Sequence, residues 1–208
     1  MDATPDEALV DAWRLGDKPA GAQLFDRYFV PVSRFFRNKL PDQAEDLIQQ
    51  TFAALLEGRD RMRTSASFRS YLFGIAHNLL RAQLRTLGRG RAIDPLESSF
   101  AELAPSPSAL IGERAEQRLL LHALRRLPIE HQIALELHYW EGLNAAEIAE
   151  IMEVPHSTMR SRLGRARELL ERMIAELADN PGLLQSTLNG LDAWAQEVRG
   201  QLTGAAAR

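Results

Sequence analysis

Between Asn144 and Arg172 the chain spells out two helices separated by a stop only a few residues long. Asn144 and Glu147 stand three apart, just ahead of an apolar pattern. That is the spacing of a reciprocal cap, in which each side chain takes up a backbone N–H that the first helical turn leaves unpaired. Residues 145–151 then make a short helix, where Ala149 leaves room for a second helix to cross closely. Met152-Glu153-Val154-Pro155 ends it, because proline keeps the residue before it out of the helical region. His156 or Ser157 can cap the next helix, whose buried stripe is Met159, Leu163, Ala166, Leu169 and Leu170. The opposite face carries Ser157, Thr158, Arg160, Ser161, Arg162 and Arg165. Over 156–172, five Arg stand against two Glu, a net charge of +3. This is the pattern of a helix-turn-helix, whose second helix fits the major groove of duplex DNA. A hairpin with a merely solvated face would more often mix Lys with Glu.

The remaining 179 of the 208 residues add helices and almost no strand signal, so the expected fold class is all-α. The chain has no cysteine, which removes disulfides, thiolate metal sites and a cysteine nucleophile, and suits a reducing, cytoplasmic setting. Residues 1–7 are acidic and lack the basic-then-apolar order of a secretory signal. No apolar run approaches the ~18 residues that a membrane span needs. The net charge of −3 conceals a pattern. Residues 59–91 hold eight Arg against one Asp, +7, while residues 1–58 hold ten acids against six bases, −4. Two arginine-rich surfaces in an acidic frame are the electrostatic footprint of a chain that touches nucleic acid at two places.

Taken in order, residues 7–15 form a short amphipathic helix that Gly16-Asp17 ends. Residues 20–40 form a second, aromatic-rich one, which Pro31 should interrupt or kink. Residues 44–57 bury Leu47, Ile48, Phe52, Leu55 and Leu56, leaving Asp46, Gln49, Gln50 and Ala53 on the other face. The loop 58–67 contains Arg63, and Ser67 can cap a long helix over 68–87. That helix buries Leu72, Ile75, Ala76, Leu79, Leu80 and Leu84, and its other faces carry Arg69, Tyr71, Phe73, His77, Asn78, Arg81 and Arg85. Arginines interleaved with aromatics suit single-stranded DNA, since the cations follow the backbone and the rings stack on unpaired bases. Phe68 and Phe73 can equally be core. A Pro- and Ser-containing linker, acidic after Arg91, spans 88–112. The expected division is therefore 1–87, the linker 88–112, a second helical domain 113–178 and a C-terminal amphipathic helix in 179–208. The stripe Leu184, Leu188, Leu191, Ala195, Val198, Leu202 of that last segment should dock on the second domain.

These motifs together resemble the extracytoplasmic-function (ECF) group of bacterial RNA polymerase sigma factors. Asp42 to Phe52, with its Ala-Glu-Asp-Leu-Ile-Gln-Gln-Thr-Phe, resembles their region 2.2, and Phe68 to Arg85 resembles regions 2.3 and 2.4. Leu127-Pro128, His138 to Leu143, Glu147-Ile-Ala149 and Ser161 to Arg167 resemble region 4. The resemblance covers about residues 6–175. It implies two helical domains on a flexible linker. It implies that Asp46, Gln49 and Gln50 dock on the coiled coil of the polymerase's largest subunit, with further contact to the flap. The loop containing Arg63, and Arg69, Tyr71, His77, Asn78 and Arg81, would handle the melted minus-ten element. Ser157, Thr158, Arg160, Ser161, Arg162 and Arg165 would read the minus-thirty-five duplex, with Arg160 or Arg162 on guanine. An anti-sigma factor is a further partner of the group. Glu153 where many such turns have Gly, Ala82 where Asp is frequent, and Tyr71 in place of Trp depart from the pattern.

Other functions fare worse. A stand-alone helix-turn-helix regulator that dimerises through its C-terminal stripe explains 127–202 and leaves 42–85 without a purpose. Catalysis lacks support: His131 and His138 share a helix without a His-Glu-x-x-His spacing, and no Gly-rich phosphate loop or nucleophile motif occurs. No cofactor and no metal are expected.

Overall fold

Helices account for the regular structure of the described residues, apart from one isolated bridge between Ser99 and Pro128. The computed structural model describes residues 4–59, 68–88, 93–103, 115–190 and 193. Its helices are α1 (Asp6–Arg14), α2 (Lys18–Arg37), α3 (Ala44–Gly58), α4 (Phe68–Leu87), α5 (Phe100–Leu103), α6 (Ala115–Arg126), α7 (Ile129–Tyr139), α8 (Ala145–Ile151) and α9 (His156–Leu177). A further helical stretch covers 181–190.

Local chemistry sets several ends. Gly16, at φ +99°, turns the chain out of α1. The Asp17 side chain accepts from the Ala20 N–H at 3.2 Å to start α2. The α2 helix then runs unbroken through Pro31, so the expected interruption does not occur. Pro31, Val32, Phe35 and Phe36 are all buried, and tertiary packing holds the helix through the missing N–H. Asn144 accepts from the Ala146 and Glu147 N–H groups, and its own N–H donates to Glu147 at 2.8 Å, which is the reciprocal cap read from the sequence. The start of α9 differs from expectation. Pro155 occupies the cap position and neither His156 nor Ser157 caps by its side chain, both being already within the helix.

One apolar core gathers α1 to α4 around Leu24, Tyr28, Val32, Phe36, Leu72, Phe73 and Leu80. Phe68 and Phe73 are both buried, which settles their place in the core. A second core unites α6, α7 and α9 through Leu124, Leu127, Trp140, Ala166, Leu170 and Ile174. Leu183, Leu184 and Leu188 of the stretch 181–190 pack on this second core, and Asn180 caps that stretch by accepting from the Leu183 N–H at 2.8 Å.

The two helical groups are not separate bodies. Ile129, Ile133, Leu137, Ile148 and Met159 belong to the same apolar cluster as α1 to α4, and α8 lies against α4. The segment expected to link them is partly anchored. Phe100 is buried, the Ile129 and Glu130 N–H groups donate to Ser98 and Pro95 carbonyls at 3.0 and 3.1 Å, and Arg125 donates to the Phe100 carbonyl at 3.2 Å.

Candidate nucleic-acid interface

The turn between α8 and α9 closes by a double backbone bond: Glu153 N–H to the Glu150 carbonyl at 3.3 Å, and Val154 N–H to the Ala149 carbonyl at 3.0 Å. This six-to-one and five-to-two pairing needs a left-handed residue in the middle, usually glycine. Glu153 fills that position at φ +56°, the one non-glycine positive φ among the described residues. The turn thus has ordinary helix-turn-helix closure, with strain of about 1–2 kcal/mol where glycine would have none.

That closure fixes which face α9 presents. Met159, Ala166, Leu170 and Ile174 are buried, whereas Ser157, Thr158, Arg160, Ser161 and Arg165 are exposed at its N-terminal half. Ser161 donates to the Ser157 carbonyl, and Arg165 makes a loose exposed pair with Glu168 at 3.6 Å. Arg162 is turned back into the protein, where it pairs with Glu130 of α7. Burial pushes the Glu130 carboxyl above the ordinary glutamate value, and Arg162 opposes that rise. His131 beside them is held below its ordinary value, by burial first and then by Arg162 and Arg165.

The other arginine surface is partly covered among the described residues, with Arg85 exposed. On α4, Arg69 donates to the Tyr28 hydroxyl at 3.3 Å and to the Glu141 carbonyl at 2.7 Å. Arg81 pairs with Glu153 of the turn at 3.0 Å. Tyr71 is half-buried and donates to the Gly58 carbonyl at 3.3 Å; a side chain at Gly58 would collide with that hydroxyl. His77 is 1% exposed, buried beside the Ile151 carbonyl. Burial, with Arg81 nearby, pushes its pKa down to about 4. Asn78 is exposed. Arg63 lies outside the described residues.

Asp46, Gln49 and Gln50 are brought together on the exposed face of α3, with Gln50 donating to Asp46 at 2.7 Å. Gln49 also lines an open groove of about 510 Å³ whose floor and walls include Phe25, Phe29, Phe52 and Leu56.

Sequence reading missed the charges between the helical groups. Lys39 and Asn38 donate to Glu136, Arg34 pairs with Glu141 at 2.8 Å, and Arg125 donates to the Asn38 carbonyl. Arg34 also lies over the Trp140 ring, 5.8 Å from its centroid. A local signal existed for Glu136: it sits between Leu135 and Leu137 in the apolar run Ile133-Ala134-Leu135, where a charge requires a buried partner.

A helix-turn-helix with a basic exposed second helix, behind a helical domain with its own arginine-rich helix, defines a two-part DNA-binding protein. The chain matches sigma-70 region 2 over residues 24–90 and sigma-70 region 4 over residues 117–177. It is 31% identical over 191 residues to the ECF RNA polymerase sigma-E factor of Haemophilus influenzae, covering 83% of this chain and 96% of that one. The Escherichia coli sigma-E factor is 27% identical over 183 residues, covering 83% and 95%. The chain belongs to the ECF sigma factors, and its function is to direct transcription initiation. Two solved structures share the fold. One is the sigma factor RpoE of Bartonella quintana in complex with the anti-sigma factor NepR (TM-score 0.60, 24% identity, covering 77% of this chain and 98% of that one). The other is CnrH in complex with the cytosolic domain of CnrY (TM-score 0.61, 22% identity, 84% and 100%). No helix among the described residues is long and apolar enough to cross a membrane, and no His, Asp or Glu group among them could hold a metal ion.

Proposed function

We propose that this sigma factor reads the minus-thirty-five duplex with the exposed N-terminal face of α9 and handles the melted minus-ten strand with α4. It docks on core RNA polymerase through Asp46, Gln49 and Gln50. The observation that carries the reading is the division on α9: hydroxyls and guanidinium groups at Ser157, Thr158, Arg160, Ser161 and Arg165 face solvent while the apolar stripe is sealed. Arg160 is the primary base reader, since Arg162 is engaged by Glu130. The α3 face supports docking, because three polar residues stand clear of solvent-excluded packing beside an apolar groove that a partner helix can enter. The protein works as a binding subunit rather than an enzyme, in the cytoplasm. Domains 1–87 and 113–178 carry the two promoter contacts, the linker 88–112 joins them, and 179–208 is an extension. An anti-sigma factor is a natural partner, as the solved RpoE neighbour is bound to the anti-sigma factor NepR.

The test is paired. Asp46→Ala weakens binding to core polymerase without any promoter present, and Arg160→Ala leaves that binding intact while weakening transcription from the cognate promoter. Unchanged polymerase affinity in Asp46→Ala, with loss of duplex binding instead, would sink the assignment.

A further inference from the structure

Glycine is the poorest helix former after proline, so a glycine inside a long helix needs a reason. Gly164 stands inside the 22-residue α9, which runs unbroken past it. The usual reasons are missing. Its φ is not positive; the positive-φ glycines among the described residues are Gly16 and Gly142. No neighbour crowds it either. A Cβ at Gly164 would meet no atom within 4 Å, whereas one at Gly21 would strike Trp13 and one at Gly58 the Tyr71 hydroxyl. Gly74 and Gly190 are as uncrowded, but both are partly buried, while Gly164 is exposed.

Nothing inside the protein thus calls for a bare backbone at this point, and its surroundings point outward. Arg160 and Ser161 stand one turn before Gly164, Arg167 stands one turn after it, and Arg165 follows it directly; all four are exposed. The buried Met159, Ala166, Leu170 and Ile174 line the other side of the helix. Side chains on a helix lean toward its N-terminus, so any side chain at 164 would lie over the Arg160–Ser161 turn, in the middle of the basic face. Its absence leaves a gap there, floored by backbone.

We infer that Gly164 is a specificity-determining residue: the gap admits the edge of a base pair to van der Waals contact with the α9 backbone, and the group it admits is a thymine C5 methyl. This rests on α9 being the helix that reads the minus-thirty-five duplex. The choice of base follows from chemistry. The other groups on the major-groove edge are hydrogen-bond donors and acceptors, and a glycine Cα offers them no partner, whereas the thymine methyl is apolar. Contact through Gly164 then fixes how deeply α9 sits in the groove, and so how far the Arg160 guanidinium reaches toward an adjacent base.

The test pairs a methyl added to the protein with one removed from the DNA. Full-length protein assembled with core polymerase first selects a cognate template from promoters randomised over the minus-thirty-five block. Deoxyuridine, which is thymidine without that methyl, then replaces each thymine of the block in turn. At one position the parent should lose ~4-fold in affinity, the effect of one buried methyl. Gly164→Ala should raise the melting temperature by ~2–4 °C, as a better helix former at an exposed position. It should nonetheless bind the thymine template ~10-fold more weakly, because its own methyl fills the gap. Deoxyuridine at that same position should restore most of the loss. Parent-like affinity of Gly164→Ala for the thymine template would overturn the inference, and so would a loss that no deoxyuridine relieves. Arg160→Ala keeps the two levels apart. If it alters the selected block while Gly164→Ala does not, the role of Gly164 alone falls; if it leaves the block unchanged, α9 is not the reader and both fall.

Discussion

Lys39, two residues past the end of α2, and Glu136, in the middle of α7, are 97 positions apart and share an ion pair from which water is excluded. Glu136 also accepts from Asn38 and Gln132, and Lys39 donates to the Phe35 carbonyl at 2.8 Å. Burial pushes the Lys39 ammonium below its ordinary lysine value, and the Glu136 carboxylate pulls it back up. Removing one partner is therefore a different perturbation from removing both. Lys39→Met leaves a buried carboxylate without its cation and should cost about 3–5 kcal/mol in urea unfolding. The double variant Lys39→Met with Glu136→Leu should lose much less. Equal losses in the two would show that the pair is not coupled.

Arg160 and Arg162 are two residues apart on one helix and should fail differently. Arg160→Ala removes an exposed group, so thermal stability should hold while cognate promoter affinity drops by about 1–3 kcal/mol. Arg162→Ala strips the half-buried Glu130 of its partner, so stability should fall as well. Binding to duplexes of systematically varied sequence, beside thermal unfolding, separates the two. Relaxed specificity in Arg162→Ala with unchanged stability would reverse their assignments.

At Glu153 the left-handed conformation sets a side chain against its own backbone. Glu153→Gly should raise stability by about 1 kcal/mol, or ~2–4 °C in melting temperature for a chain of this length. The same change removes the partner of Arg81, an exposed pair that contributes little to stability. A lower melting temperature would mean that the carboxylate matters more than the strain.

His77 gives a pH dependence with a defined sign. Its pKa is about 4 when buried, against an ordinary value of 6.5, with burial the main cause and Arg81 the next. Lys39 acts in the same sense, while the Ile151 carbonyl and Glu153 oppose them. The folded state thus prefers the neutral ring. Its stabilisation is full above pH 6.5 and is lost as pH falls from there toward 4, by about 1.4 kcal/mol per unit. Glu141 works the other way, because burial raises its carboxyl and acid then favours the folded form. The informative quantity is the difference between the parent and His77→Leu across pH 7.5 to 5. The parent should lose more stability on acidification; parallel curves would remove His77 from the account.

Much of this was legible because helices announce themselves locally. The apolar period marked α3, α4 and α9, and the Asn144–Glu147 spacing marked the start of α8 to the residue. Glu153 was noticed as a departure because the turn wants a left-handed residue there. Pro31 misled, since its cost in an isolated helix is overridden where Val32, Phe35 and Phe36 are all buried around it. The seam between the domains was illegible for another reason. Lys39, Glu136 and Arg125 look like surface charges one at a time, and their partners lie 86 to 98 residues away. No periodicity spans that distance, and only the folded chain brings the charges together.

Run-off transcription with purified core polymerase on a library of randomised promoters tests the central claim most directly. A sigma factor of this construction should yield specific transcripts from templates sharing two short sequence blocks, with Arg160→Ala altering the upstream block alone. No transcript from any template, while the free protein binds a symmetric duplex as a dimer, would contradict the account and identify a regulator that acts without polymerase.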